Sequence, residues 1–201
     1  FSAVAGDYVL VRVSCNVYSG FGPEVRLFSP DGSLVKSSFG DYVGEVSVVL
    51  NVTGVYTVLV MDHSGVSTGN YGITVNRLNS PSGTQPTIQF DQSVNGSISI
   101  IGKVDNYRFS AVAGDSIMAR VSCNAYSGFD PEVRLFLPNG SLIKTATGDY
   151  VAEISTLLNV TGVYTVVVMD NVGANTGNYG IVVNLLGGPL PEPTPSPTPT
   201  P

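Results

Sequence analysis

Apolar and polar residues alternate with a period of two along most of the chain. Val9, Val11, Val13 and Cys15 share one phase of such a run, as do Ile117, Ala119, Val121 and Cys123. That alternation is the mark of a half-buried strand whose side chains point to opposite faces. The pattern predicts short strands over residues 9–15, 24–28, 43–51, 55–62 and 71–76. Turn chemistry separates them: Ser29-Pro30-Asp31-Gly32, Asn51-Val52-Thr53-Gly54 and Gly69-Asn70, and later Leu137-Pro138-Asn139-Gly140, Asn159-Val160-Thr161-Gly162 and Gly177-Asn178. No window carries a sustained helical period. Strands every 8–12 residues with turns between them predict an all-β chain of sandwich domains.

The pattern occurs twice. FSAVAGD, RVSCN, YSGF, PEVRLF, GDYV, LNVTGVYTV and TGNYGI return 108 positions later, from Phe109 to Ile181. About 55 of the first 79 positions are identical in the second copy, a tandem duplication that sets the domain size. The second copy is preceded by a strand-rich segment, residues 87–108, with three further predicted strands over 87–90, 97–101 and 104–109. The first copy begins at Phe1 with no such segment. The expected organisation is therefore a first β-sandwich over 1–79 that lacks its N-terminal strands, a linker over 80–86, a second, jelly-roll-like or Ig-like sandwich over 87–187, and a Pro/Thr-rich tail over 188–201. The tail alternates proline with Thr and Ser, which favours a stiff polyproline II spacer or an edge ligand rather than a strand inside a sheet.

Composition narrows the class. Of 201 residues, 43% are hydrophobic, enough for a core in each copy, and only 12% are charged. That charged share is well below the usual ~25%, so surface polarity must come from Ser, Thr, Asn and Gly. This balance is common in extracellular structural proteins, and the expected location is extracellular or at the cell surface. A net charge of −6 argues against nucleic-acid binding, which needs a basic stripe. No stretch approaches the ~18 apolar residues of a membrane-spanning helix. Cys15 and Cys123 stand at equivalent inward-facing positions, so both are expected to be buried, reduced thiols. An intermolecular or intrachain bridge is the alternative, the latter requiring Cα atoms within about 7 Å.

The run GSISIIGKVDNYRFSAVAGD, followed by PEVRLFLPNGSL, LLNVTGVYTVVV and GNYGIVV, resembles the bacterial pre-peptidase C-terminal (PPC) domain. Asp105, Tyr107, Phe109, Gly114, Asp115, Leu135, Pro138, Gly140, Gly162, Tyr164 and Tyr179 stand at the matching places. The resemblance covers residues 87–186, and in the first copy only the later part of the motif. Its matched positions are turn and core residues, so it speaks to fold more than to function. It implies a secreted, non-catalytic sandwich of the kind appended to peptidases and other exported proteins.

Catalytic parts are missing. The one histidine, His63, follows Asp62 in a turn and is replaced by Asn171 in the second copy. Neither a Cys–His pair nor a G-x-S-x-G elbow occurs, and the repeated acids Asp7, Glu24, Asp41, Glu45 and Asp62 are spread over separate elements. No enzyme activity and no cofactor are expected. Calcium is the one ion worth weighing, because Asp62, Asn70, Asp170, Asn171, Asn175 and Asn178 offer hard oxygen donors in loops. No D-x-D-x-D-G loop accompanies them, and Asp and Asn in turns usually cap their own backbone. Sequons at Asn51, Asn95, Asn139 and Asn159 are candidate N-glycosylation sites, although roughly three would arise by chance at this Ser/Thr content. Thr194, Ser196, Thr198 and Thr200 are candidate O-glycosylation sites. Tyr18 and Tyr126 are candidates either for an exposed contact surface or for closing one end of each sandwich.

The missing strands suggest a function. An open sandwich with an apolar cleft and bare edges aggregates or is completed from outside. Completion by another molecule is strand addition, and a head-to-tail contact that does not close makes a fibre. The expected role is a non-catalytic structural subunit of an extracellular filament or surface array, assembled head to tail with copies of itself by strand complementation or by docking of the tail. The alternatives are an accessory module pair of a larger secreted hydrolase, or an adhesin stalk.

Overall fold

A computed structural model of the chain describes residues 1–15, 20–79, 85–124 and 128–188. Among these residues every regular element is a strand. The first copy contributes β1 (Ser2–Ala3), β2 (Tyr8–Cys15), β3 (Pro23–Phe28), β4 (Leu34–Phe39), β5 (Val43–Val49), β6 (Gly54–Val55), β7 (Thr57–Asp62) and β8 (Tyr71–Arg77). The second contributes β9 (Ser93–Ile98), β10 (Val104–Ala111), β11 (Ser116–Cys123), β12 (Pro131–Phe136), β13 (Leu142–Thr147), β14 (Val151–Leu157), β15 (Gly162–Asp170) and β16 (Gly177–Gly187). The expected all-β fold of sandwich domains is what forms.

The second sandwich packs two four-stranded sheets, ordered β10-β15-β12-β13 and β14-β11-β16-β9. The first packs two three-stranded sheets, β4-β3-β7 and β5-β2-β8. All ladders are antiparallel, and the registers of equivalent pairs match: Arg12 faces Glu45 as Arg120 faces Glu153. The absent partners are the counterparts of β9 and β10. Of β10 the first copy keeps only β1, whose Ser2 and Ala3 pair with Val55 and Gly54 as Ser110 and Ala111 pair with Val163 and Gly162.

Inward residues meet as the alternation demands. Val11, Val13, Leu27 and Tyr56 form one core, with Val58 and Val60 packed against it. Ala119, Val121, Leu135, Tyr164, Val166 and Val168 lie at equivalent places in the other. Tyr56 and Tyr164 each donate a phenolic hydrogen bond back to the carbonyl four residues earlier, at 2.7 and 2.6 Å, which ties the turn before the strand to the core.

Three details differ from the sequence expectation. The strand expected over 97–101 runs earlier, because β9 is set by its ladder to β16 and ends at Ile98 opposite Gly177. Residues after it form a turn at Gly102 (φ +75°), which leaves Ile100 exposed. Residues 87–90 give no regular strand, only a single parallel bridge from Thr87 to Arg108. β4 and β13 were not expected, since LVKSSF and LIKTAT carry no clean apolar phase. They are polar edge strands, accessible on both faces.

Candidate functional site

Two features of the first sandwich stand out: a core wall left open among the described residues, and an outer face covered around Leu10 and Arg12. The bare wall comes first. Tyr71, Ile73 and Val75 lie on the inward side of β8, paired with Cys15, Val13 and Val11. They remain 49%, 41% and 41% exposed, whereas the equivalent Tyr179, Ile181 and Val183 are 3%, 1% and 0% exposed. The difference is the hairpin of β9 and β10. In the second sandwich Ile98, Tyr107, Phe109 and Ala111 from that hairpin fill the core. In the first, Phe1 and Ala3 stand alone for Phe109 and Ala111, and a cavity of 360 Å³ opens between them and Val9, Val75 and Arg77. Among the described residues neither β7 nor β8 has a further strand on its outer edge.

What the hairpin supplies is visible in the complete copy. Tyr179 donates to Asp105 Oδ2 at 2.7 Å and shares a 2.9 Å hydrogen bond with Tyr107, while Lys103 Nζ holds Asp105 at 2.9 Å. Burial, then the Tyr107 and Asp105 contacts, push the Tyr179 hydroxyl far above its ordinary titration range, so it stays a donor. The ring lies against Gly96, where a Cβ would come within 2.3 Å of it. Tyr71 is the same residue without the Asp105 and Tyr107 of a hairpin.

The covered face is the outward side of β5-β2-β8, which stacks on the outward side of β10-β15-β12-β13. Leu10, Leu78, Val104, Phe136, Val167 and Met169 form one buried cluster across this seam, with Tyr8 against it and its ring centroid 6.1 Å from that of Phe136. Arg12 is buried in the middle. Its guanidinium donates to Glu45 Oε2 at 3.1 Å, to the Asp170 and Asn171 carbonyls at 2.7 and 3.2 Å, and touches the Met169 sulfur. Burial lowers the Arg12 pKa against the pull of Glu45. Glu45 also bonds Arg134 from across the seam, and Arg134 holds Glu132 at 2.5 Å. Thr165 donates to the Leu78 carbonyl at 2.7 Å and Thr74 to that of Gly102 at 3.0 Å. The turn after β9 sits directly on β8, for a Cβ at Gly72 would fall 2.0 Å from the Ile101 oxygen. None of these seam residues was singled out from the sequence for this role. The available signal was a charged residue, Arg12, in the middle of a strongly apolar strand and repeated at Arg120.

The sequence candidates fall elsewhere. Cys15 is fully buried and its thiol points at the Phe21 carbonyl, 2.9 Å away. Cys123 is only half-buried, contrary to expectation, with its sulfur 3.2 Å from the Phe129 carbonyl, and no disulfide joins the two. His63 stacks on Phe39 at 3.6 Å and lies 3.3 Å from Glu24. The Asp62 carboxylate accepts from the backbone of Gly22, Val66 and Ser67 and from the Ser64 hydroxyl. Asp170 accepts from the backbone of Asp130, Ala174 and Asn175. Both thus cap their own turns, which uses the oxygens a calcium ion would need. Asn51, Asn95, Asn139 and Asn159 are all exposed, and Asn139 also closes its turn on the Ser141 amide at 2.9 Å. Tyr18, Tyr126, Thr194, Ser196, Thr198 and Thr200 lie outside the described residues, as does the tail beyond Gly188. Among the described residues no helix is long and apolar enough to cross a membrane.

Comparison with known proteins gives a likeness of fold. No protein-family model matches the sequence, and no curated protein does. Among solved structures, the chain is similar to the PliG lysozyme inhibitors of Salmonella Typhimurium (21% identity, 51% of this chain and 99% of that one, TM-score 0.36) and Aeromonas hydrophila (17%, 51% and 96%, 0.37). It is likewise similar to the pre-peptidase C-terminal domain of a Bacillus anthracis collagenase, at 16% identity over 53% of this chain and 100% of that domain, with a TM-score of 0.44.

Proposed function

We propose that this chain is a non-catalytic structural module of an extracellular filament or cell-surface array, in which sandwiches follow one another head to tail. The single observation that carries the reading is the bare inner wall formed by Tyr71, Ile73 and Val75. Fully burying such a side chain is worth roughly 1.5–3 kcal/mol, and each is about half-exposed, so a hairpin of the β9–β10 kind gains about 1 kcal/mol at each position before counting its own side chains. Ladder hydrogen bonds to the open edges of β7 and β8 add register. The completing hairpin comes from polypeptide outside these residues, and each sandwich it completes extends the array by one unit. The PPC-like strand motif, the low charge and the Asn-, Ser- and Thr-rich surface support an exported location and a scaffold rather than an enzyme.

The test is hydrogen exchange on the full chain at low concentration, with and without a peptide spanning residues 87–111. The expected result is fast exchange in β7 and β8 of the free chain and clear protection when the peptide is present. Full protection of both strands in the free monomer, or no change on adding saturating peptide, overturns the reading.

A further inference from the structure

The seam between the two sandwiches joins unlike faces. One partner is the outward side of the sheet containing β2, and the other is the outward side of the sheet containing β12 and β15. Because the chain is duplicated, each molecule carries a second example of both faces, and among the described residues neither is packed against another sheet. On the second sandwich the counterparts of Leu10, Arg12, Glu45 and Leu78 are Met118, Arg120, Glu153 and Leu186. On the first, the counterparts of Arg134, Phe136, Val167 and Met169 are Arg26, Phe28, Leu59 and Met61. Leu186 is 58% exposed where Leu78 is 1%, and Leu59 is 40% exposed where Val167 is 0%.

We propose that these two bare faces dock on each other between copies of this chain, repeating the internal seam. The observations are specific. Charge is retained and complementary: Arg120 and Glu153 stand 3.9 Å apart and accessible, a loosened version of the 3.1 Å buried pair Arg12–Glu45. Arg26 holds Glu24 at 2.5 Å as Arg134 holds Glu132, leaving it placed to receive Glu153 as Arg134 receives Glu45. The close approaches are retained too. Gly173 and Gly140 lie under Ser14 and Tyr8 in the seam, and their counterparts Gly65 and Gly32 have nothing within 4 Å of a built Cβ. Asp62 and His63 are the sequence counterparts of Asp170 and Asn171, whose carbonyls receive Arg12. Two differences set the strength. Ser116 replaces Tyr8, and the first sandwich keeps only β1 of the strand that supplies Val104 and Asn106. The contact between chains is therefore narrower than the internal one.

A seam between unlike faces cannot close on itself as a symmetric dimer, so it adds further copies, in an open row unless the rotation closes a ring. The inference rests on the array reading but needs no donated hairpin. The experiment uses the full chain, analysed by sedimentation over a concentration series, in three forms: unsubstituted, Arg120→Glu, and Leu59→Glu. Both substituted positions are on the surface, and unchanged melting of each variant confirms folding. The unsubstituted chain should form a ladder of growing oligomers. Each variant alone should associate about tenfold more weakly or worse. Mixed, the two should form a one-to-one dimer and nothing larger, since each blocks a different end. A monomer at all concentrations overturns the proposal. So do oligomers that ignore both substitutions; if the hairpin peptide dissolves those oligomers, the array reading survives and only this contact fails.

Discussion

Gly65 and Gly173 have φ of +73° and +72°, the left-handed region that side chains rarely adopt, yet they live in different surroundings. A Cβ on Gly173 would sit 2.5 Å from Ser14 Oγ and 2.6 Å from Val43 Cγ2, while one on Gly65 meets open space. Alanine at either position carries the same backbone strain, so the difference isolates the seam. Gly173→Ala should cost about 1–3 kcal/mol more than Gly65→Ala in denaturant unfolding, as overpacking does. The duplicated acids diverge in the same way. Hydrogen bonds from Ser64 and from the Ser67 and Gly22 backbone hold the Asp62 carboxyl well below its usual range, whereas burial at the seam raises that of Asp170. A depressed carboxyl contributes stability that is present above its unfolded value near 3.8 and lost as pH falls toward its lower folded value. A raised one acts oppositely, favouring the fold below that unfolded value and losing the contribution as pH rises through the folded one. Asp62→Asn should therefore flatten the loss of stability between about pH 4 and pH 2, seen by denaturant titration at each pH. Asp170→Asn should not.

Among elements, the strands that are legible are those with at least one face in a core. β2 is buried on both faces, and its odd positions fill the core while Arg12 and Ser14 are the polar outward residues that mark the alternation. β4 and β13 left no trace in the apolar pattern, since an edge strand accessible on both faces has no reason to alternate. The absent strands of the first copy could be read only because the second copy displays them. The seam is silent in the sequence for a different reason. Leu10 and Leu78 look like ordinary surface apolar residues in a sequence, and only packing against Val167 and Phe136 gives them a purpose. The hairpin itself invites a test in the complete copy. Gly96→Ala on β9 would drive a methyl group into the Tyr179 ring and the Tyr107 hydroxyl, and should destabilise the second sandwich by about 1–3 kcal/mol. Hydrogen exchange resolved by strand should show the loss of protection at β9 and β16.

At the scale of the molecule, the first sandwich leans on the second. Among the described residues its inner side at Tyr71, Ile73 and Val75 is open, and its outward β5-β2-β8 face packs against the neighbour. The two should therefore melt in one calorimetric transition. Arg12→Ala removes the central seam contact and leaves a gap beside Met169. It should split the transition, the first sandwich unfolding at the lower temperature; an unchanged single peak would contradict this coupling.

The seam pairs two different surfaces, and this has a consequence for any row of such molecules. A row built by repeating that seam would have a direction. One terminus would present Arg120 and Glu153 and the other Arg26 and Leu59, whatever the row's length. Subunits can then be added, anchored or stopped at one terminus independently of the other. A single molecule altered on one surface is enough to cap growth there, and a support that recognises only one surface aligns every row the same way.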